Sequence, residues 1–287
     1  MIMSAFGYVS PQTLEEAVAT LASHPEGRLV AGGQSLLLPA KRASIAGSLL
    51  VDLGKIAGLR GIERKPDGAV RIGATTTIAA VASSEPIRED FPALAEAAEL
   101  IGDAQVRNRA TLGGSVAGVD PEADLPAVML ALDATFHLIG PRGWRTVAAG
   151  TFYVGPGQTA AARDEVVAAV VIPQLPKNSG TAYVKFKHPA RLYAVCGVAA
   201  ALTVANGRVA AVRVAVTGAT EYPSRLAGAE RTLVNGPASK EAAQAAAAVP
   251  IQLDFRGDFF ASAEYRRHLT QVLTGRALKL ALTRAGV

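Results

Sequence analysis

The sequence predicts an α+β fold in two parts: a long mixed portion, then a small antiparallel sheet with a C-terminal helical bundle. Three observations predict it. Strand-like runs, two of them reading as hairpins, and helical stretches are interspersed up to residue 172. Residues 173–180, with two prolines, an asparagine and a glycine, read as a domain boundary. Beyond them, two long β-branched and alanine-rich runs flank Asn206-Gly207, and helical periodicity then continues to the end.

Taken in order, residues 11–22 predict an amphipathic helix. Thr13 and Glu16 make a capping-box pair, and Leu14, Ala17, Val18 and Leu21 share one face. The turn cluster His24-Pro25-Glu26-Gly27 stops it, and a short strand at 29–31 follows. Residues 49–53 read as a strand ending near Asp52, and 62–73 as a hairpin around Pro66-Asp67-Gly68. Helices are expected at 77–83 and 92–101, and another opens at Asp124 and Pro126 and runs to about Leu132. Residues 134–147 read as a hairpin turning at Gly140-Pro141-Arg142-Gly143, and 165–172 as a buried strand. In the second part, 181–187 is strand-like, 195–205 and 208–217 form the Asn206-Gly207 hairpin, and 239–248 and 262–285 are helical.

Two glycine pairs carry most of the functional information. Ala31-Gly32-Gly33-Gln34-Ser35 follows Arg28-Leu29-Val30, and Thr111-Leu112-Gly113-Gly114-Ser115 follows Gln105-Val106-Arg107-Asn108, which reads as strand-like. Paired glycines permit positive φ and remove two Cβ atoms, so backbone amides can close on an oxygen-rich ligand. A hydroxyl after each pair, Ser35 and Ser115, adds a short donor. Two turns of the same layout suggest a pyrophosphate held from two sides, hence a dinucleotide.

Composition removes other classes. The chain has 287 residues, 50% hydrophobic and 18% charged, enough for two domains with a substantial core. Its formal charge of +5 is spread without a dense Lys/Arg block, and the 5% aromatic residues do not interleave with basic ones, which argues against a nucleic-acid groove. The single cysteine, Cys196, cannot form an internal disulfide, hold an iron–sulfur cluster or build a structural zinc site. His24, His137, His188 and His268 lie far apart, without metal-ligand spacing. No signal-like N-terminus and no membrane-length apolar run is seen, so a cytoplasmic location is expected. GxGxxG, GxxxxGK[ST] and GxSxG motifs are all missing, as is an evident Ser/His/Asp set, so chemistry would rest on a bound cofactor.

The string Leu29-Val30-Ala31-Gly32-Gly33-Gln34-Ser35-Leu36-Leu37 resembles the first flavin-binding motif of the medium subunits of molybdenum hydroxylases. Val106-Arg107-Asn108-Arg109-Ala110-Thr111-Leu112-Gly113-Gly114-Ser115 resembles the second, and Ala123-Asp124-Leu125-Pro126 follows at the family's distance. The similarity spans essentially the whole chain. It implies a two-part FAD-binding domain of the p-cresol methylhydroxylase/vanillyl-alcohol oxidase type at 1–175, with lobes at about 1–57 and 58–175. A C-terminal domain of the carbon monoxide dehydrogenase flavoprotein type would occupy 176–287.

The resemblance further implies that Leu29, Val30, Ala31, Gly32, Gly33, Gln34, Ser35 and Leu36, with Thr111, Leu112, Gly113, Gly114 and Ser115, wrap FAD non-covalently, amides on the pyrophosphate. Asp124 would contact ribityl or ribose hydroxyls, although a helix N-cap explains the same residue. Lys187 matches a family lysine near the flavin, with a solvated strand lysine as the alternative. Ile101 and Tyr193 match positions beside the isoalloxazine ring, where core packing also accounts for Ile101. Leu192 stands where relatives commonly carry an acidic residue, which leaves open how the 191–193 loop is held, and Ser115 replaces an asparagine. The implied role is an electron-transfer subunit. A molybdenum-pterin centre on a large partner and [2Fe–2S] clusters on a small one would feed FAD here, in a dimer of heterotrimers. Alternatives are a self-standing flavin oxidoreductase and a non-catalytic assembly subunit. The substrate and final acceptor are not readable from this chain.

Overall fold

A computed structural model describes residues 5–37 and 45–287. In chain order the elements are β1 (Gly7–Val9), α1 (Leu14–Ser23), β2 (Gly27–Val30), β3 (Leu49–Asp52), β4 (Ile62–Arg64) and β5 (Val70–Gly73). A helical stretch follows: α2 (Ile78–Ser83), α3 (Glu85–Asp90), α4 (Pro92–Glu99), α5 (Ala104–Arg107), α6 (Leu112–Ala117) and α7 (Leu125–Ala131). Then come β6 (Thr135–Gly140), β7 (Gly143–Ala148), α8 (Ala149–Phe152), β8 (Tyr153–Gly155), β9 (Gln158–Thr159) and β10 (Val166–Ile172). The last part holds β11 (Ser179–Lys187), β12 (Ala194–Ala205), β13 (Arg208–Thr217), β14 (Ser224–Arg225), α9 (Ala227–Leu233), α10 (Lys240–Ala247) and α11 (Ala263–Arg284). The predicted α+β class and all three predicted hairpins are present.

Local chemistry sets many of the boundaries. Thr13 Oγ1 accepts from the Glu16 amide at 3.2 Å, while the Glu16 carboxylate reaches back to the Gln12 amide at 2.7 Å, so the capping pair closes one residue earlier than the usual box. Ser239 and Ser262 cap α10 and α11 through their hydroxyls. Asn206 and Gly207, at φ +52° and +71°, make the tight turn that joins β12 to β13. Helices α3, α5, α6 and α9 are short and were not legible from periodicity.

Three sheets organise the chain. The first, β1-β3-β2, is wholly parallel. The second, β4-β5-β10-β6-β7, is antiparallel, with β10 inserted between two hairpins. One face of it meets α1 and the first sheet through Ile139, Val166 and Ala168. The opposite face buries Val70, Ile72, Phe136 and Val170 against α2, α4, α6 and α7. The third sheet, β11-β12-β13-β14, is antiparallel and packs α9, α10 and α11 on one side. Its other side shares the helical core, because Tyr183, Ala199, Ala201 and Ala215 join the cluster around α4 and α7.

Side chains stitch that seam. The Ala93 amide donates to Thr181 Oγ1 at 3.1 Å, and Glu96 accepts from the Tyr183 amide on the edge strand at 2.9 Å. Arg284 of α11 pairs with Glu96 and donates to the Thr181 carbonyl at 2.7 Å. Among the described residues no helix is long and apolar enough to cross a membrane. Cys196 is buried beside Thr270 Oγ1 at 3.4 Å, and burial pushes its thiol up to about 12.

Candidate functional site

The first glycine loop leaves β2 at its C-terminal end. Val30 is buried and Leu29 half-buried within the strand, and residues 31–37 are all half-buried. Gly33 has φ +73°, and the Leu37 amide turns back to its carbonyl at 3.0 Å. Gln34 Nε2 donates to the Gly32 carbonyl at 3.3 Å. No described residue accepts a hydrogen bond from the amides of Gly32, Gly33, Gln34, Ser35 or Leu36. Five successive amides of that kind fit an anionic, oxygen-rich group.

The second glycine pair is built differently. Residues 104–107 are helical where a strand-like run was expected, because Gly102 turns at φ +49° and Asp103 Oδ1 caps the Val106 amide at 2.8 Å. Thr111 then caps α6, and the pair lies inside that helix rather than in an open turn. The amides of Leu112 and Gly113 donate to Thr76 and Ala74 carbonyls at 2.9 and 2.8 Å. Those of Gly114 and Ser115 donate to Thr111 Oγ1 and its carbonyl at 3.2 and 3.0 Å. The expectation of amides free for a pyrophosphate therefore does not hold for this pair. What its glycines supply is close approach: a Cβ on Gly113 would stand 2.6 Å from Ala74 Cβ. Gly114 is exposed and Ser115 half-buried, so both can face a ligand from the helix surface.

The two motifs meet. A Cβ on Gly32 would overlap the Arg109 carbonyl and crowd Ala110 Cα, so the first loop lies directly on the chain that leads into Thr111. The turn after β2 and the helices between β5 and β6 thus bring residues about eighty positions apart to one place.

Asp124 sits at the start of α7 but makes no side-chain capping bond. Its Oδ1 accepts from the Tyr183 hydroxyl at 2.5 Å and its Oδ2 from Lys185 Nζ at 2.8 Å. Lys185 Nζ also donates to the Leu100 carbonyl at 3.2 Å, next to half-buried Ile101. Burial lifts the Asp124 carboxyl above its ordinary value, opposed by the Lys185 charge and the two hydrogen bonds. Burial, reinforced by Asp124, holds the Tyr183 phenol far above its usual range. Lys187, the lysine singled out from the sequence, is exposed on β11, two residues beyond the enclosed one.

The segment before Asp124 is tied to the third sheet. Thr217 Oγ1 donates to the Pro121 and Ala123 carbonyls at 3.1 and 2.7 Å, and the Gly218 amide donates to Pro121 at 2.8 Å. Val119 adopts φ +48°, an uncommon state for a β-branched residue. Tyr193 comes to the same place from the turn after β11. Burial, together with the Asp120 and Glu122 carboxylates, raises its phenol, while the nearby Ser35 works the other way. Ser35 and Tyr193 are thus neighbours.

The structure brings together the first glycine loop, the approach to the second, and Tyr193. Asp124 and Ile101 are linked through Lys185, and Lys187 stands outside this network. Sequence reasoning missed Tyr183 and Lys185. Their signal was the period of two in β11, which puts Thr181, Tyr183, Lys185 and Lys187 on one face and covers the earlier members first.

Comparisons with known proteins agree along the whole chain. Residues 4–175 match the family of the FAD binding domain in molybdopterin dehydrogenase. Residues 181–281 match the CO dehydrogenase flavoprotein C-terminal domain. The chain is 37% identical over 290 residues to the carbon monoxide dehydrogenase medium chain of Hydrogenophaga pseudoflava, covering 99% of each. It is 36% identical over 279 residues to the nicotine 6-hydroxylase medium subunit of Paenarthrobacter nicotinovorans, covering 97% of this chain and 98% of that one. Among solved structures, Hydrogenophaga pseudoflava carbon monoxide dehydrogenase lacking the Mo-pyranopterin moiety aligns at a TM-score of 0.93 with 36% identity, covering 99% of both chains. Quinoline 2-oxidoreductase from Pseudomonas putida 86 aligns at 0.90 with 30% identity, covering 100% of both. The chain belongs to the family of FAD-binding medium subunits of molybdenum hydroxylases, an oxidoreductase family.

Proposed function

We propose that this chain is the electron-transfer flavoprotein subunit of a cytoplasmic molybdenum hydroxylase complex. The observation that carries this reading is the run of amides at 32–36 without a described acceptor, pressed through Gly32 onto Arg109 and Ala110. FAD, when bound, would supply a centre that accepts electrons one at a time and can hold two. Gly32, Gly33, Gln34, Ser35 and Leu36 would hold its pyrophosphate through their amides, with Leu29, Val30 and Ala31 leading into that loop, and Gly114 and Ser115 would contribute the surface of α6 on the other side, over buried Thr111, Leu112 and Gly113. Each Asp124 oxygen already accepts one hydrogen bond and retains capacity for a second, which suits ribityl or ribose hydroxyls. Ile101 and Tyr193 would border the isoalloxazine ring, and Tyr193 would limit access from the side of the 188–193 turn.

In this reading residues 1–175 form the cofactor domain and 176–287 the domain that closes over it. Electrons would come from [2Fe–2S] clusters on a small partner chain, after substrate oxidation at a molybdenum-pterin centre on a large one, in a dimer of heterotrimers. The residues of this chain then position and shield the cofactor rather than act as acid, base or nucleophile. The test is native purification with cofactor and mass analysis. Stoichiometric FAD released by mild denaturation, together with two co-purifying chains, is the expected result. Isolation of the full chain alone and without flavin overturns the reading. Turnover of a small substrate by this chain without partners would show a self-standing oxidoreductase instead.

A further inference from the structure

The turn that carries Tyr193 is closed from one side chain. After β11, the Leu192 amide donates to the His188 carbonyl at 2.9 Å, and the His188 amide donates to the Tyr193 carbonyl at 2.8 Å. Inside that ring His188 Nδ1 accepts from the amides of Ala190 and Arg191 at 3.1 and 3.2 Å. A ring nitrogen that accepts twice carries no proton, so the imidazole proton belongs on Nε2. The Phe260 ring lies 3.9 Å from the imidazole, tilted by 35°, and fixes its plane from the loop before α11.

The turn needs such support. Leu192 sits at φ +60°, a conformation that L residues other than glycine, asparagine and aspartate seldom adopt. Arg191 reaches Glu122 only at 3.7 Å and is largely exposed, so this ion pair is a weak tether. The Leu192 side chain offers the turn no acceptor.

We propose that His188 is the positioning residue of the 188–193 turn, and that its Nδ1, by accepting the Ala190 and Arg191 amides, holds the turn that presents Tyr193. The imidazole acts as the acceptor of an Asx-type turn, a task that asparagine performs with its side-chain oxygen. The consequence for flavin access rests on the placement of Tyr193 given under Proposed function.

The test uses the full chain and its variants His188→Ala, His188→Asn and Tyr193→Ala. Amide hydrogen exchange over residues 188–193 needs no cofactor. His188→Ala is expected to speed exchange at Ala190 and Arg191 about two- to fivefold, the loss of one acceptor that the two amides share, with His188→Asn close to the parent. Unchanged exchange in His188→Ala overturns the proposal. So does acceleration that His188→Asn fails to restore, since packing on Phe260 would then be what counts. On the flavin-loaded chain, iodide quenching of flavin fluorescence should rise in both His188→Ala and Tyr193→Ala and stay at the parent level in His188→Asn. If exchange responds as expected while Tyr193→Ala leaves quenching unchanged, the turn mechanism stands and the placement of Tyr193 over the flavin is overturned.

Discussion

The Lys185 ammonium lies 2.8 Å from Asp124 Oδ2, with side chains only 1% and 5% exposed. The pair joins β11 to the start of α7, and through the Leu100 carbonyl to the end of α4. Removing one member of an enclosed pair leaves the other charge desolvated and unmatched. Lys185→Met should therefore cost about 3–5 kcal/mol in urea unfolding and lower FAD retention. Lys187→Met, on the exposed end of the same strand, should stay within about 0.5 kcal/mol of the parent. Equal losses in the two variants would contradict the assignment.

Gly32 has no room for a methyl group against the Arg109 carbonyl. Gly32→Ala should push the first loop off the approach to α6, costing about 1–3 kcal/mol as local overpacking and weakening FAD binding in an equilibrium titration. Gly58 has open space around the equivalent position. Gly58→Ala is the matched control, expected within about 1 kcal/mol of the parent with FAD affinity unchanged.

Glu165 accepts from Arg145 Nε and Nη2, each at 2.6 Å, and from the Ala162 amide at 2.6 Å. The Arg145 hydrogen bond is the main cause that holds its carboxyl below the ordinary value, against the opposing effect of burial. A carboxyl depressed in the folded state stabilises the fold above its unfolded value, and that contribution disappears as pH falls through the folded value. Glu165→Gln should thus lower stability at neutral pH and flatten the acid limb of a melting-temperature profile. A variant whose profile stays parallel to the parent's down to low pH would show that the pair contributes nothing.

Gly207 at φ +71° completes the turn between β12 and β13. Gly207→Val should destabilise the third sheet by about 1–2 kcal/mol, read by chemical denaturation. Asn206→Gly should be tolerated, because glycine adopts the left-handed region without a Cβ clash.

Much of the fold was legible because its signals are local. The Asn206-Gly207 hairpin, the capping pair at Thr13, the helix starts at Ser239 and Ser262, and the apolar face of α1 each depend on residues within a few positions. The second glycine pair was misread in conformation, since Asp103 and Thr111 capping turned an apparent strand and loop into two short helices. Lys185 and Tyr183 were passed over because alternation along β11 says which residues share a face, but not where the cover ends.

By itself the sequence determined the α+β class and the positions of the glycine motifs, and its motifs carried the resemblance to the family to which the chain belongs. Only the tertiary structure decided that β10 separates two hairpins and that Gly32 rests on Arg109. It also decided that Asp124 answers to Lys185, and that His188 closes the turn bearing Tyr193. The physical reason is range: caps and turns are fixed by neighbours in the chain, whereas desolvated pairs and backbone approach exist only once distant segments have packed.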